Sequence, residues 1–501
     1  MRRVIVVGNG PVGQTCALLL ARWQVPVLLL DRRPHRQPVG SKAICQQRDV
    51  LDIWQSVGAG QQIADEGVTW STNRTFYRDA ELFSHTLPPS AFPPFVNLSQ
   101  SRTEQILDER ITAQPLIDVR WGHEVTEISP EGVVTCAQDT FHGDYVVLCA
   151  GSRGADLREQ LGIGFDGQTF DDRFLICDIQ TDLPGWQSER RFYFDPPWNP
   201  GRQVLIHPCP DSTFRIDWQV PGDYDLDAEQ ADGRLDARIR AIIGERDYRI
   251  VWKSLYRFSS RVASRMRAGK VLLAGDCAHL YAPFGARGLN SGVADVENAA
   301  WKLAYVLDGR APEALLETYN TERHAAALEN LDVTSATMRF LVPQDAEQLR
   351  RRLEVLAGSS IDSEDLLAGS SIDAVDSGRL AEPFWYADSP LTTPDPSRPR
   401  PVRPPRGSSP VPAPGTLVPD VATPAGRLRA LARSGFLLLT DLALPSARGV
   451  AVLPVRFPSD LAEALGAKPG EIWIVRPDAH VAAVLSTPDD LPAALRRACG
   501  W

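Results

Sequence analysis

Six residues near the start, Gly8-Asn9-Gly10-Pro11-Val12-Gly13, constrain this chain more than any others. They follow a run of four β-branched residues, Val4-Ile5-Val6-Val7, and precede an apolar stretch that reads as a helix over 11–23. A second apolar strand is predicted over 25–30 and closes on Asp31-Arg32. Continuous apolar strands of this kind belong to a parallel sheet covered on both faces. In such a turn Gly8 permits the reversal, Gly10 lets a pyrophosphate approach the backbone, and Gly13 lets helix and strand pack closely. The helix start, which Pro11 initiates, offers the free N–H groups of the residues after it, from Val12 on, and a positive dipole end to phosphate, and Asp31 is placed to hold a ribose hydroxyl. The turn predicts a dinucleotide site but does not by itself separate NAD from FAD.

At 501 residues the chain is too long for one core, and two to four domains are expected. A formal charge of −10 argues against nucleic acid as the main partner, because phosphate binding needs clustered cations. The eight cysteines form no CxxC pair, so neither a metal site nor a dithiol centre is expected. No uncharged run reaches the roughly 18 apolar residues of a membrane helix, and no leader peptide is read at the N-terminus. A reducing cytoplasm is the expected compartment.

A second run resolves the cofactor. Val271-Leu272-Leu273-Ala274-Gly275-Asp276-Cys277-Ala278-His279 reads as a buried strand ending in Gly-Asp. It is followed by Pro283-Phe284-Gly285-Ala286-Arg287-Gly288-Leu289-Asn290-Ser291-Gly292 and a helix whose Val293, Val296, Ala300, Leu303 and Leu307 share one face. A carboxylate at a strand end accepts from polyol hydroxyls, and FAD has a ribityl chain where NAD has none. A glycine-flanked helix start suits a planar ring that carries negative charge when reduced. Between the two runs, residues 170–260 alternate: Phe214, Ile216 and Trp218 against Arg215, Asp217 and Gln219. That pattern predicts an antiparallel sheet with two unlike faces, with further strands at 190–195, 203–207 and 248–252.

Taken together, GNGPVG with Asp31-Arg32, GSKAICQQRDVLDIW with Arg48, SQSRTEQIL with Gln100 and Glu104, and the run from Gly275 to Leu303 resemble one family. It is the class A flavoprotein aromatic hydroxylases of the 4-hydroxybenzoate hydroxylase fold, and most of all their 3-(3-hydroxyphenyl)propionate-hydroxylase-like branch. The resemblance implies an α/β fold (α+β overall). A Rossmann-like FAD-binding domain would take residues 1–170 and 260–385, and an inserted antiparallel-sheet substrate domain 171–259. A Pro-rich linker at 386–415 and a thioredoxin-like C-terminal domain at 416–501, lacking CxxC, would follow. That last module is expected to serve packing or a homodimer rather than redox chemistry.

The resemblance also implies site residues. Gly8, Gly10, Pro11, Val12, Gly13, Asp31 and Arg32 would hold the ADP half, with Arg48 and Gln100 near the pyrophosphate and ribose. Gly275 and Asp276 would meet the ribityl chain; Gly288, Leu289 and Asn290 would lie under the ring, with Pro283 on its substrate side. NADH or NADPH would reduce FAD, and O2 would then give a flavin hydroperoxide that attacks an electron-rich, phenolic small molecule. Activating a phenol needs an acceptor for its proton, and His207, Tyr193, Tyr256 and His279 are the candidates. The sequence departs from the family at Ala150, where an aspartate is usual, and at Arg287, where many relatives carry glutamine. Two alternatives stay open: a Baeyer–Villiger or epoxidising monooxygenase, and a flavin-binding protein without turnover. A halogenase is disfavoured by the absence of WxWxIP.

Overall fold

A computed structural model of the chain describes residues 3–37, 42–87, 90–137, 139–282, 285–341, 343, 345–358, 383–402, 410–444 and 449–501. Pro283 lies outside the described residues, as do residues 367–373, where the run LAGSSID that first begins at Leu356 occurs a second time.

The strand Val4–Val7 is the centre of a six-stranded sheet. Val27–Asp31 and Ile117–Trp121 extend it on one side, Tyr145–Leu148 and Val271–Leu273 on the other, all parallel. Arg267–Ala268 closes one edge antiparallel. Val4 to Val6 and Leu28 to Leu30 are fully buried, as strands covered on both faces must be. Each such side chain contributes about 1.5–3 kcal/mol. The second strand starts two residues later than the apolar run, because Gln24 takes a left-handed φ of 62° and reverses the chain before Pro26. Parallel order brings the carboxyl ends of Val4–Val7 and Val271–Leu273 to one edge, so both glycine-rich turns open on the same side.

The second sheet has eight strands, in the order His279–Leu280, Arg249–Ala263, Phe165–Gln180, Thr213–Val220, Gln203–Cys209, Glu189–Phe194, Thr72–Tyr77 and Ala80–Thr86. It draws on more of the chain than 171–259. The hairpin 72–86 joins it by a parallel pairing with Glu189–Phe194, and its long central strand begins at Phe165. Gly167 and paired aspartates interrupt that strand's alternation and hide it in the sequence. A Cβ on Gly167 would sit 2.0 Å from Ser260 O, so glycine is required where the two longest strands approach.

The C-terminal sheet runs Val450–Pro454, Phe436–Thr440, Ile472–Val475, Val481–Leu485. It does not stand apart. Phe436, Leu438, Ile472 and Ile474 share a core with Trp301 and Tyr305 of the helix Arg287–Leu307, the helix that starts at the second glycine-rich run. A buried ionic cluster seals that contact. Glu322 accepts from Lys302 (2.6 Å), Asn298 (2.7 Å) and both Arg476 amino groups (2.6 and 2.9 Å), and Arg476 also binds Asp478. The start of the Pro-rich segment packs here too, with Trp385, Tyr386 and Leu391 buried. Among the described residues no helix is long and apolar enough to cross a membrane.

Candidate active site

At the first turn the three glycines differ. Gly8 has φ +107°, and a Cβ there would lie 2.4 Å from Cys149 O. A Cβ on Gly13 would lie 1.8 Å from Gly8 O. On Gly10 it would meet nothing within 4 Å. Two glycines are therefore demanded by the fold itself, while the second leaves open room at the N-terminus of the helix Pro11–Arg22.

Around this turn lies a polar cluster only partly visible in the sequence. Asp31 accepts from Asn9 N (2.8 Å) and from Arg33 N and Nε (2.8 and 2.9 Å). Burial raises the Asp31 carboxyl, but these bonds outweigh it and leave the group below its ordinary range. Arg36 reaches Asn9 O (3.1 Å) and pairs with Glu104 and Asp108, and both Arg33 and Arg36 lie over the Trp121 ring. The arginine-rich run after Asp31 was the available signal for them. Arg32, expected at the cofactor, instead pairs with Glu124 at 3.7 Å on the surface. Gln100 accepts from Ala43 N (3.2 Å) and donates to Glu104 (2.8 Å). Arg48 is half-buried at the start of the helix Arg48–Gln55.

The second turn is built against the first. Val12 packs on Gly275 and Gly292: a Cβ on Gly292 would fall 2.6 Å from Val12 Cγ2. Gly275 N donates to Asp295 Oδ2 (3.0 Å), a buried carboxylate that also bonds His279 Nε2 (2.7 Å) and Arg323 Nε (2.7 Å). Burial opposes its charge, yet His279 and Arg323 hold its carboxyl down at about 2. His279 thus braces the turn through Nε2. Asp276 is different: among the described residues nothing donates to its carboxylate, and burial pushes its pKa up. Such a group has both oxygens available for hydroxyl donors.

The helix Arg287–Leu307 begins beside this carboxylate. Its N-cap, Ala286, takes a left-handed φ of 55° without being glycine, local strain of the kind stored at functional sites. A Cβ on Gly288 would meet nothing within 4 Å, while Leu289 packs on the core. The Asn290 side chain is fully used within the protein: it accepts from Gln47 N (3.0 Å) and donates to Cys45 O (3.0 Å) and Ala286 O. It braces the helix start, leaving backbone N–H groups as what the turn presents. Beside this helix a cavity of about 50 Å³, whose lining includes Gln47, Arg287, Asn290, Arg323, Arg433 and Asp478, has room for a few waters.

One face of the eight-stranded sheet faces these turns. Cross-strand registry aligns Asn73, Arg190, His207, Arg215 and Asp178 in one row, and Thr75, Phe192, Leu205, Asp217, Ile176 and Ser254 in the next. Phe174, Phe192, Phe194, Leu205 and Phe258 form a buried aromatic wall with Ala282 of the flavin-side loop. Arg215 NH1 bonds Lys42 O (3.0 Å) and so ties the sheet to the loop before Cys45. Of the sequence candidates, His207 lies on this face, but burial, Arg190 and Arg215 hold its pKa well below the ordinary value. Tyr256 lies on it as well, 44% exposed, with burial first and Asp276 second raising its pKa. Tyr193 lies on the opposite face, stacked on Phe76 at 4.6 Å beneath the helix Arg234–Ile243.

An open second glycine, a strand-end carboxylate with no donor among the described residues and a strained helix start together fit FAD, whose pyrophosphate Gly10, ribityl chain Asp276 and ring Gly288 would hold. Comparison with known proteins supports FAD as the cofactor. The family model described as FAD binding domain matches residues 1–334. The 3-(3-hydroxy-phenyl)propionate/3-hydroxycinnamic acid hydroxylase of Mycobacterium sp. (strain JLS) is 28% identical over 372 residues. The match covers 72% of this chain and 63% of that protein, so the chain spans less than two thirds of that relative's length. Rifampicin monooxygenase of Streptomyces venezuelae is 31% identical over 70% of this chain and 74% of its own. The crystal structure of the flavin-dependent monooxygenase PieE in complex with FAD and substrate shares the fold, with TM-score 0.82 over 99% of both chains at 24% identity.

Proposed function

Because the chain belongs to the FAD binding domain family and has the class A flavoprotein hydroxylase fold, we propose that it is an FAD-dependent monooxygenase that hydroxylates a phenolic small molecule. The observation that carries this reading is the meeting of the two glycine-rich turns, packed through Val12, opposite a phenylalanine-walled sheet face. Bound FAD supplies electron transfer from NADH or NADPH and activation of O2. The chain's own residues bind, orient and exclude water. Backbone N–H groups at Pro11–Arg22 take the pyrophosphate, Asp276 the ribityl hydroxyls, and the N-terminus of Arg287–Leu307 the ring's developing negative charge. Phe174, Phe192 and Phe258 offer faces and edges to an aromatic substrate and keep the site dry. Residues 72–86 and 165–263 form the substrate side of the molecule in this reading.

Asp276→Ala tests the assignment. The variant is expected to fold, since its carboxylate bonds no described donor, yet to lose FAD affinity by at least about tenfold, about 1.4 kcal/mol. Flavin absorbance after gel filtration measures it. Unchanged retention contradicts the ribityl role, and release of FMN rather than FAD from the wild type contradicts the cofactor.

A further inference from the structure

We propose that Asp217 is the catalytic group that accepts the substrate's hydroxyl proton, an inference that rests on the phenol-hydroxylase reading. Three observations carry it. Asp217 lies on the flavin-facing side of the sheet, in register with Leu205 on one side and Ile176 on the other, so apolar neighbours flank its carboxyl. Its Oδ1 is buried with no hydrogen-bond partner among the described residues, while the residue as a whole remains partly accessible. The row holding it is the accessible one: Ile176 and Ser254 are half-buried, with the buried Phe192 and Leu205 beyond. An aromatic ring laid on this wall brings a hydroxyl to that carboxyl.

The cations nearby do not satisfy it. Arg215 is committed to Asp178 by two bonds (2.8 and 3.2 Å) and to Lys42 O, and Arg190 bonds Asn73 Oδ1 (3.1 Å). The groups facing Asp217 are Arg215, Asp178, Arg190, His207 and Cys209 on the sheet and Lys42 on the loop above. Among them burial dominates, and Asp178 adds to it against Arg215 and Arg190, so the carboxyl is pushed up to about 7. A base is most effective when its pKa lies near the working pH. His207, between two guanidiniums, is a poor acceptor by the same logic. In the step, the substrate O–H bond breaks and the proton forms an O–H bond on Asp217. The electron pair stays on the substrate oxygen and raises ring electron density at the positions to be hydroxylated. The neutral carboxyl suits its apolar flanks better than the anion it replaces.

The test uses FAD-loaded full-length protein and two phenols of different acidity: unsubstituted phenol and a nitrophenol that ionises near neutrality without help. Asp217→Asn is isosteric, and FAD content with circular dichroism verifies its fold. Product formation from phenol is expected to fall by at least about a hundredfold with KM little changed, whereas the nitrophenol loses less than about threefold. Asp217→Glu, which keeps a carboxylate, recovers part of the loss. The wild-type rate falls as pH drops below about 7, and this limb is absent in Asp217→Asn. Equal losses for the two phenols, or no loss for either, overturns the assignment. If the wild type shows no phenol-stimulated NAD(P)H oxidation at all, the monooxygenase reading fails instead, and the proton acceptor with it.

Discussion

Gly10→Ala is expected to give a folded protein that no longer retains FAD, while Gly13→Ala fails to fold. The two positions are three residues apart in one turn, and their geometry separates cofactor binding from packing. A methyl on Gly13 would overlap Gly8 O at 1.8 Å, and Gly8 is itself held against Cys149 O, so neither backbone can give way. That overlap costs well beyond the roughly 1–3 kcal/mol of ordinary overpacking. A methyl on Gly10 touches nothing in the protein and costs the fold little. It occupies the place where a pyrophosphate must come within hydrogen-bond distance of the helix N-terminus. Affinity for FAD should fall by about a hundredfold or more, roughly 2.7 kcal/mol. Titration of apoprotein with FAD, followed by flavin fluorescence, measures the loss, and circular dichroism the fold. Full FAD affinity in Gly10→Ala would show that the diphosphate does not lie on this turn.

The second large effect is expected at Arg476, far from the flavin turns in sequence. Its guanidinium is fully buried between Glu322 and Asp478, which in turn receive Lys302, Asn298 and Trp301. Burial works against every charge here. Arg476 and Lys302 nonetheless keep the Glu322 carboxyl well below its ordinary range. Removing one member of such a cluster leaves buried charge unpaired, at a cost of about 3–5 kcal/mol. Arg476→Met is therefore expected to lower the denaturation midpoint strongly. Flavin release should occur in the same transition, because Asn298 and Lys302 lie on the helix whose first turn is proposed to hold the ring. Two separate transitions, the C-terminal sheet melting first with flavin still bound, would show that the two regions are not coupled through this cluster.

How much of this was legible beforehand depends on where each signal resides. The first glycine-rich turn was legible because its glycines answer to local sterics: φ at Gly8, close approach at Gly13. The strands at Phe436–Thr440 and Ile472–Val475 were legible because they are continuous apolar runs. The long strand Phe165–Gln180 was not, since its aspartates and Gly167 mimic a loop, and only its pairing with Arg249–Ala263 makes it a strand. Alternation showed that the large sheet has two unlike faces, but nothing local tells which face meets the cofactor. Tyr193 therefore ranked beside His207 although the two lie on opposite sides. Asp217 read as one polar residue in an alternating run; its isolation from donors exists only once Arg215 has turned to Asp178 and Lys42. The Pro-rich segment suggested a boundary, yet Tyr386 within it bonds Arg323, which holds Asp295 and through it Gly275. Tertiary partners, not local pattern, set these outcomes.

Oxygen insertion into a phenolic ring by the FAD-loaded protein is the reaction proposed for this site. The direct measurement is mass analysis of products formed by the FAD-loaded protein with NADH or NADPH, a panel of phenols, and dioxygen carrying the heavy oxygen isotope. A hydroxylated product containing a single heavy oxygen atom is expected, with one NAD(P)H consumed for each product formed. Heavy oxygen appearing only in peroxide, or a product whose new oxygen comes from water, would contradict it.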